Sequence, residues 1–197
     1  MWTNGMPFHF VPMPSGEGDT GYFALPAYIE GLWKHPAVQA MRGCEQDLER
    51  HPEGDVWEHT NLVYNYLEDC FFMNTKRKYI MLIAAVLHDV GKPVVRKEID
   101  GRLTFHEHHI VGAKMASNIL SDIPAGNECI IKDVVWLVRN HMTPQLEDVS
   151  DRKLRKLSKH KFWGCLVMLS TADAYSCGAV EAIDRIAANN KTIVGNK

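Results

Sequence analysis

The chain has 197 residues, 46% of them hydrophobic, which is enough for one full core and short for two ordinary domains. A net charge of −2 leaves no electrostatic footprint for non-specific binding to a nucleic-acid backbone or an anionic membrane, so no stable nucleic-acid complex is expected. No apolar run approaches the roughly 18 residues of a bilayer span, and the Met1-Trp2-Thr3-Asn4-Gly5 start lacks a basic segment leading into an apolar one, so a soluble, cytoplasmic protein is expected.

In chain order, the first 25 residues carry Pro7, Pro12, Pro14, Gly16, Gly18 and Gly21, a density of breakers that predicts an irregular arm. Its aromatics, Trp2, Phe8, Phe10, Tyr22 and Phe23, would dock it on a single domain spanning residues 26–197. From there the apolar periodicity predicts helices near 27–40, 56–73, 76–90, 106–120, 127–141, 151–159, 162–176 and 178–189. One short β-hairpin is expected around Val94–Phe105, turning at Asp100-Gly101. The fold class is therefore all-α. Five cysteines without a Cys-x-x-Cys pair indicate neither a disulfide framework nor a thiolate zinc site, and Cys44 and Cys177 are expected to be the more exposed ones.

Histidine and aspartate should avoid the apolar stripe of a core helix, because burying them without partners costs several kcal/mol. Here they fall on it repeatedly. His59 lies on the predicted face of Leu62, Val63, Tyr66 and Cys70. His88 completes the face of Met81, Ala84 and Ala85, and Asp89 follows just before a stop at Gly91. His108 shares a face with Val111, Gly112, Met115 and Ile119. His141 extends the stripe of Ile131, Val134 and Val138, and Asp173 that of Phe162, Leu166 and Leu169.

Taken singly, an inward histidine is more often a hydrogen-bonded core residue than a ligand. Adjacent His88-Asp89 at a helix end, with a histidine on the preceding helix and a later inward aspartate, is better explained by a cation that supplies the missing partner. Imidazole nitrogens with carboxylate oxygens and no thiolate suit Fe, Mn, Ni, Co or Zn, with Mg also admissible, and the ligand types do not choose among them.

His59, then Leu87-His88-Asp89-Val90-Gly91-Lys92-Pro93, then Asp173 resemble the signature of the HD superfamily of metal-dependent phosphohydrolases. The local likeness is to the HD domain of bacterial tRNA nucleotidyltransferases (CCA-adding enzymes). It rests on Glu45-Gln46-Asp47, the block His51-Pro52-Glu53-Gly54-Asp55-Val56-Trp57-Glu58-His59-Thr60, His108-His109-Ile110-Val111-Gly112-Ala113 and Thr171-Ala172-Asp173-Ala174. The sequence shows no nucleotidyltransferase head, so CCA addition is not implied and a free-standing phosphohydrolase is expected. The family often places an arginine shortly before the aspartate matched by Asp173, where this chain has Ser170 and Thr171.

The resemblance implies an HD-domain helical bundle in which His59, His88, Asp89 and Asp173 hold one divalent ion, with Asp89 able to bridge. His108 and His141 stand in the order of the histidines that bind a second ion in dinuclear members. It further implies Asp89 and Lys92 as catalytic residues, with Lys92 reaching a substrate phosphate; His109 and Arg139 are candidate substrate contacts beside the ligands. Of His106 and His109, one should simply be exposed. Asp55 is read as the N-cap of the His59 helix, and Trp57 and Tyr64 as core. His9, His35, His51 and His160 carry no functional reading.

The expected substrate is a small phosphomonoester or phosphodiester, a nucleotide or cyclic nucleotide by resemblance. The alternatives are a mixed-valent di-iron oxygenase of the same fold and a regulatory module with a structural metal. Oligomeric state has no sequence signal.

Overall fold

The computed structural model describes residues 25–70, 75–122 and 128–194. The expectations for the N-terminal arm, including His9 and the aromatics from Trp2 to Phe23, lie outside the described residues.

Helices α1 (Leu25–Lys34) and α2 (Pro36–Gln39) replace the single helix expected over 27–40. Pro36 has no N–H to donate and disfavours a helical residue before it, so His35 turns extended and becomes the N-cap, its Nδ1 accepting from the Ala37 amide at 3.2 Å. Helix α3 (Val56–Glu68) begins at Asp55, whose Oδ1 accepts the Glu58 amide at 2.8 Å while its Oδ2 accepts that of Gly43 at 2.6 Å. That is the expected cap, with a second bond tying the preceding turn to the helix start. The buried stripe of α3 is Val56, Trp57, His59, Thr60, Val63 and Leu67; Leu62, expected beside His59, is exposed, and Cys70 lies beyond the helix end. The apolar face is rotated by about one position from the one expected.

Helix α4 (Thr75–Leu87) is buried continuously from Ile80 to Leu87, and α5 (Lys92–Val95) follows a tight turn. Strands β1 (Lys97–Ile99) and β2 (Arg102–Thr104) form the expected hairpin, with Glu98 opposite Leu103. Its turn residues Asp100 and Gly101 have φ of 51° and 73°, the two successive positive values of a type I′ turn. Then come α6 (His108–Asp122), α7 (Glu128–Asn140), a 3₁₀ turn (Thr143–Gln145), α8 (Asp151–Leu157), α9 (Trp163–Ser176) and α10 (Val180–Val194). The predicted start of the last helix moves to Val180 because Gly178, at φ 70°, breaks the chain direction.

Apolar side chains of α1, α3, α4, α6, α7 and α9 meet in one core, in which α4 packs against α3, α7 and α9, and α6 lies along α7. A smaller cluster of Val167, Ala174, Ala182 and Ile186 seats α10 on α9. Trp57 is buried, whereas Tyr64 is half-buried at the edge against Trp33. Cys44, expected to be exposed, is buried, Cys177 is half-buried and Cys129 is the exposed one. Cys44 turns inward because its carbonyl takes the Val56 amide, which pins the α2–α3 connection to the core. No helix among the described residues is long and apolar enough to cross a membrane.

Candidate metal centre

The helix ends of α4 and α7, the start of α6 and the interiors of α3 and α9 converge on one buried spot. Helix α4 ends at Leu87 rather than running to 90, so His88 and Asp89 sit in the turn after it, with Asp89 aimed into the bundle. The expected stop at Gly91 is a matter of close approach, because its φ of −79° suits any residue. A β-carbon there would overlap the His108 carbonyl oxygen and lie 2.6 Å from the Gly112 nitrogen. The bare backbones of Gly91 and Gly112 therefore let the His88-Asp89 turn touch α6 and bring His108 to Asp89.

The carboxylate of Asp89 is the hub. Its Oδ1 lies 3.3 Å from His108 Nε2 and 3.8 Å from His141 Nε2. Its Oδ2 lies 3.3 Å from His88 Nε2, 3.9 Å from His59 Nε2 and 2.7 Å from the Lys92 ammonium. Asp173 completes the ring, with Oδ1 at 2.9 Å from His59 Nε2 and Oδ2 accepting from Gln145 Nε2 at 2.6 Å. His59, His88 and His141 are wholly buried, and Asp89, His108 and Asp173 nearly so.

Every one of these imidazoles turns its Nδ1 away from the hub. His88 Nδ1 faces the Ala85 carbonyl at 2.7 Å, His108 Nδ1 that of Phe105 at 2.9 Å, and His141 Nδ1 that of Val138 at 2.8 Å. A carbonyl can only accept, so in the neutral rings Nδ1 carries the proton and Nε2 presents its lone pair inward. His59 does the same with a side chain, its Nδ1 lying 2.7 Å from Glu53 Oε1.

The result is an unbalanced centre without a cation. His88 Nε2 is buried with no hydrogen-bond partner, and Asp89 Oδ2, despite its ion pair with Lys92, has none of good geometry either. His108 Nε2 and His141 Nε2 face each other at 3.2 Å, two lone pairs in contact unless a proton or a metal lies between them. His59, His88 and Asp89 form one group able to hold an ion, and Asp89, His108 and His141 a second, with Asp89 shared. Nitrogen and oxygen donors in this number fit a divalent transition metal.

Charge is distributed unequally over the hub. Burial opposes a charged His59, but hydrogen bonds to Asp173 and Glu53 outweigh it and raise its pKa to about 9. Burial and the neighbouring His108 and His88 push His141 down to about 3, and burial lowers His108 as well. Burial also works against ionised Asp89 and Asp173, yet Lys92 and the neighbouring His88 for the first, and the hydrogen bond to His59 for the second, hold both carboxyls well below their ordinary range.

Lys92 is buried, its ammonium shared between Asp89 and Gln46 Oε1 at 2.7 Å, so it stands inside the site. His109 is half-buried beside the rings of His108 and His141, at 5.6 and 6.5 Å between centroids. His106 is exposed, as one of that pair was expected to be. Arg139 occupies the exposed face of α7, near enough for its charge to act on His109.

Sequence reading gave no role to Glu53, His51, Gln46, Gln145 or Ser170, although the first three stand in the blocks that carry the resemblance and Ser170 was noted only as a departure from it. The first four lie in loops or turns, where no periodicity marks a side chain as inward. Ser170 gave the same signal as Asp173, a polar residue on the apolar face of α9; its hydroxyl donates to the His141 carbonyl and so ties α9 to the end of α7.

The HD-domain profile matches residues 56–175, the stretch from the first residue of α3 to within one residue of the end of α9. Over 150 residues the chain is 30% identical to a CC-adding tRNA nucleotidyltransferase of Thermus thermophilus, an alignment that takes in 74% of this chain and 33% of that enzyme. The chain thus spans about a third of the length of that relative. With the profile covering more than half of the sequence and the His59, His88-Asp89 and Asp173 side chains gathered in one buried cluster, the chain belongs to the HD-domain family.

Proposed function

We propose that this protein is a metal-dependent phosphohydrolase acting on a small phosphomonoester or phosphodiester, a nucleotide or cyclic nucleotide. The observation that carries the reading is the shared carboxylate of Asp89, with His59 and His88 on one oxygen and His108 and His141 on the other. In this reading His59, His88, Asp89 and Asp173 would hold the first ion and Asp89, His108 and His141 the second, with Asp89 common to both sets. Bound ions would supply Lewis-acid polarisation of the phosphate and a water acidified toward neutrality.

The chain's own groups do the rest. Asp89 orients the attacking water, since its two oxygens touch both ligand groups. Lys92 offers a point charge to a phosphate oxygen, held at the hub by Gln46. His109, beside His141, is read as a substrate contact, and Arg139 supplies positive charge outside it. Asp173 keeps its orientation through Gln145, whose own carbonyl accepts from Arg185 Nε at 3.0 Å.

The test is to strip the protein with chelator, restore Mn, Ni, Co, Fe, Zn or Mg singly, and assay phosphate release from nucleotides and 2′,3′-cyclic nucleotides. Release with at least one metal is expected. His88→Ala and Asp89→Ala should lower it by about 10³-fold, the worth of several kcal/mol of transition-state stabilisation. Full activity in both folded variants would refute the site, and iron-dependent oxygen uptake without phosphate release would replace the reading with an oxygenase.

A further inference from the structure

Four imidazoles face the hub, and three of them steady their Nδ1 on a backbone carbonyl three residues earlier in the chain. His59 is the exception, its Nδ1 lying 2.7 Å from the carboxylate of Glu53, in the turn before α3. The same oxygen, Oε1, lies 2.8 Å from His51 Nδ1, so one carboxylate is gripped by two rings set nearly perpendicular at 82°. Gly54, at φ 121°, gives the turn after Glu53 a backbone shape that side-chain-bearing residues rarely adopt. The Glu53 side chain is only 7% exposed, and its second oxygen, Oε2, is buried with no partner. A carboxylate so enclosed needs donors, and the Nδ1–H groups of the two rings supply them at one oxygen.

We propose that Glu53, anchored by His51, is a positioning residue that fixes the His59 ring and makes it the most electron-rich imidazole of the centre. This rests on the metal-centre reading above. A carbonyl dipole behind a ligand orients it, whereas a full negative charge also strengthens the lone pair on the far nitrogen and offsets part of the charge of an ion bound there. The ion held by His59, His88 and Asp89 would therefore be the tighter of the two, and the ion at His108 and His141, whose rings have only backbone behind them, the more readily exchanged.

The experiment compares wild type with Glu53→Gln, which preserves shape and an acceptor oxygen but removes the charge. Mn affinity is measured by chelator competition and the melting temperature of the metal-free protein by circular dichroism. The variant should bind its tighter equivalent of Mn about 10- to 100-fold more weakly while still folding. In a His59→Ala background the same substitution should have no further effect, because the charge acts through His59. Imidazole ¹H–¹⁵N spectra of the metal-free protein should show a downfield His59 Nδ1 proton that moves upfield in Glu53→Gln. Wild-type affinity in Glu53→Gln, or an equal loss with and without His59, would overturn the proposal while leaving the metal centre intact. Failure of the wild type to bind any divalent ion would instead overturn the metal-centre reading, and this inference with it.

Discussion

The two sides of the Asp89 carboxylate are built from the same residue type and behave oppositely. On the Oδ2 side, His59 lies between two carboxylates, Glu53 and Asp173, at 2.7 and 2.9 Å, and is driven toward the protonated form. On the Oδ1 side, His108 and His141 lean on backbone carbonyls and on each other, and are driven toward the neutral form. Identical side chains at similar depth thus differ because of what stands behind Nδ1 and opposite Nε2. Burial alone would have made both sides neutral. His59 meets its two carboxylates as a donor, whereas His108 and His141 turn lone pairs toward each other.

The sharpest way to break this asymmetry is Gly91→Ala. The new methyl group meets the backbone of His108 and Gly112, atoms that cannot swing aside, so the His88-Asp89 turn and α6 must separate. A loss of about 1–3 kcal/mol or more is expected, as for other overpacked sites. The Oδ1 side should fail first: metal stoichiometry should fall through loss of the His108 and His141 ion before the His59 ion. Equal retention of both ions would show that the glycine contact does not set the hub.

A middle-sized effect comes from pH. His59 is raised from 6.5 to about 9, so its contribution to the metal-free fold is fully present below pH 6.5 and is lost as pH rises through about 9. An ion at His59 displaces that proton, so affinity should climb over the same window, with proton release on binding. Calorimetric titration in buffers of different ionisation enthalpy reads the released proton. The release should vanish in His59→Ala and persist in His141→Ala, because His141 is already neutral down to about pH 3.

The smallest effect lies at the entrance to α6. Glu107, immediately before His108, holds φ 61°, a left-handed conformation that costs a residue with a β-carbon about 1 kcal/mol. Its carbonyl nevertheless accepts the amides of Ile110 and Val111 at 2.9 and 3.1 Å, so the strain is what starts the His108 helix. Glu107→Gly should raise the melting temperature by about 2–4 °C in a protein of this size. Only the Oδ1 side contains such a residue next to a candidate ligand among the described residues, so a matching gain at the Oδ2 side is not expected. An unchanged or lower melting temperature would mean that the glutamate side chain offsets its backbone cost.

By itself the sequence determined the all-helical class, the hairpin turn at Asp100-Gly101, the Asp55 cap and the inward His59, His88, Asp89, His108, His141 and Asp173. Each of these is a local property: a polar residue interrupting an apolar period, or turn chemistry that depends only on neighbours. The same reasoning misplaced the face of α3 by about one position and carried α4 past Leu87, because stripe edges and helix ends are settled by what packs against them. Only the tertiary structure decided that those side chains meet on one carboxylate, that Gly91 is there for contact with α6, and that Lys92 is enclosed with Gln46. It alone placed Glu53 behind His59 and Gln145 behind Asp173, joining residues 6 and 28 positions apart from loops that carry no periodic signal. The candidate ligands are legible because burying a charge conflicts with the helix it sits on, whereas the groups behind them are drawn in from elsewhere and conflict with nothing local.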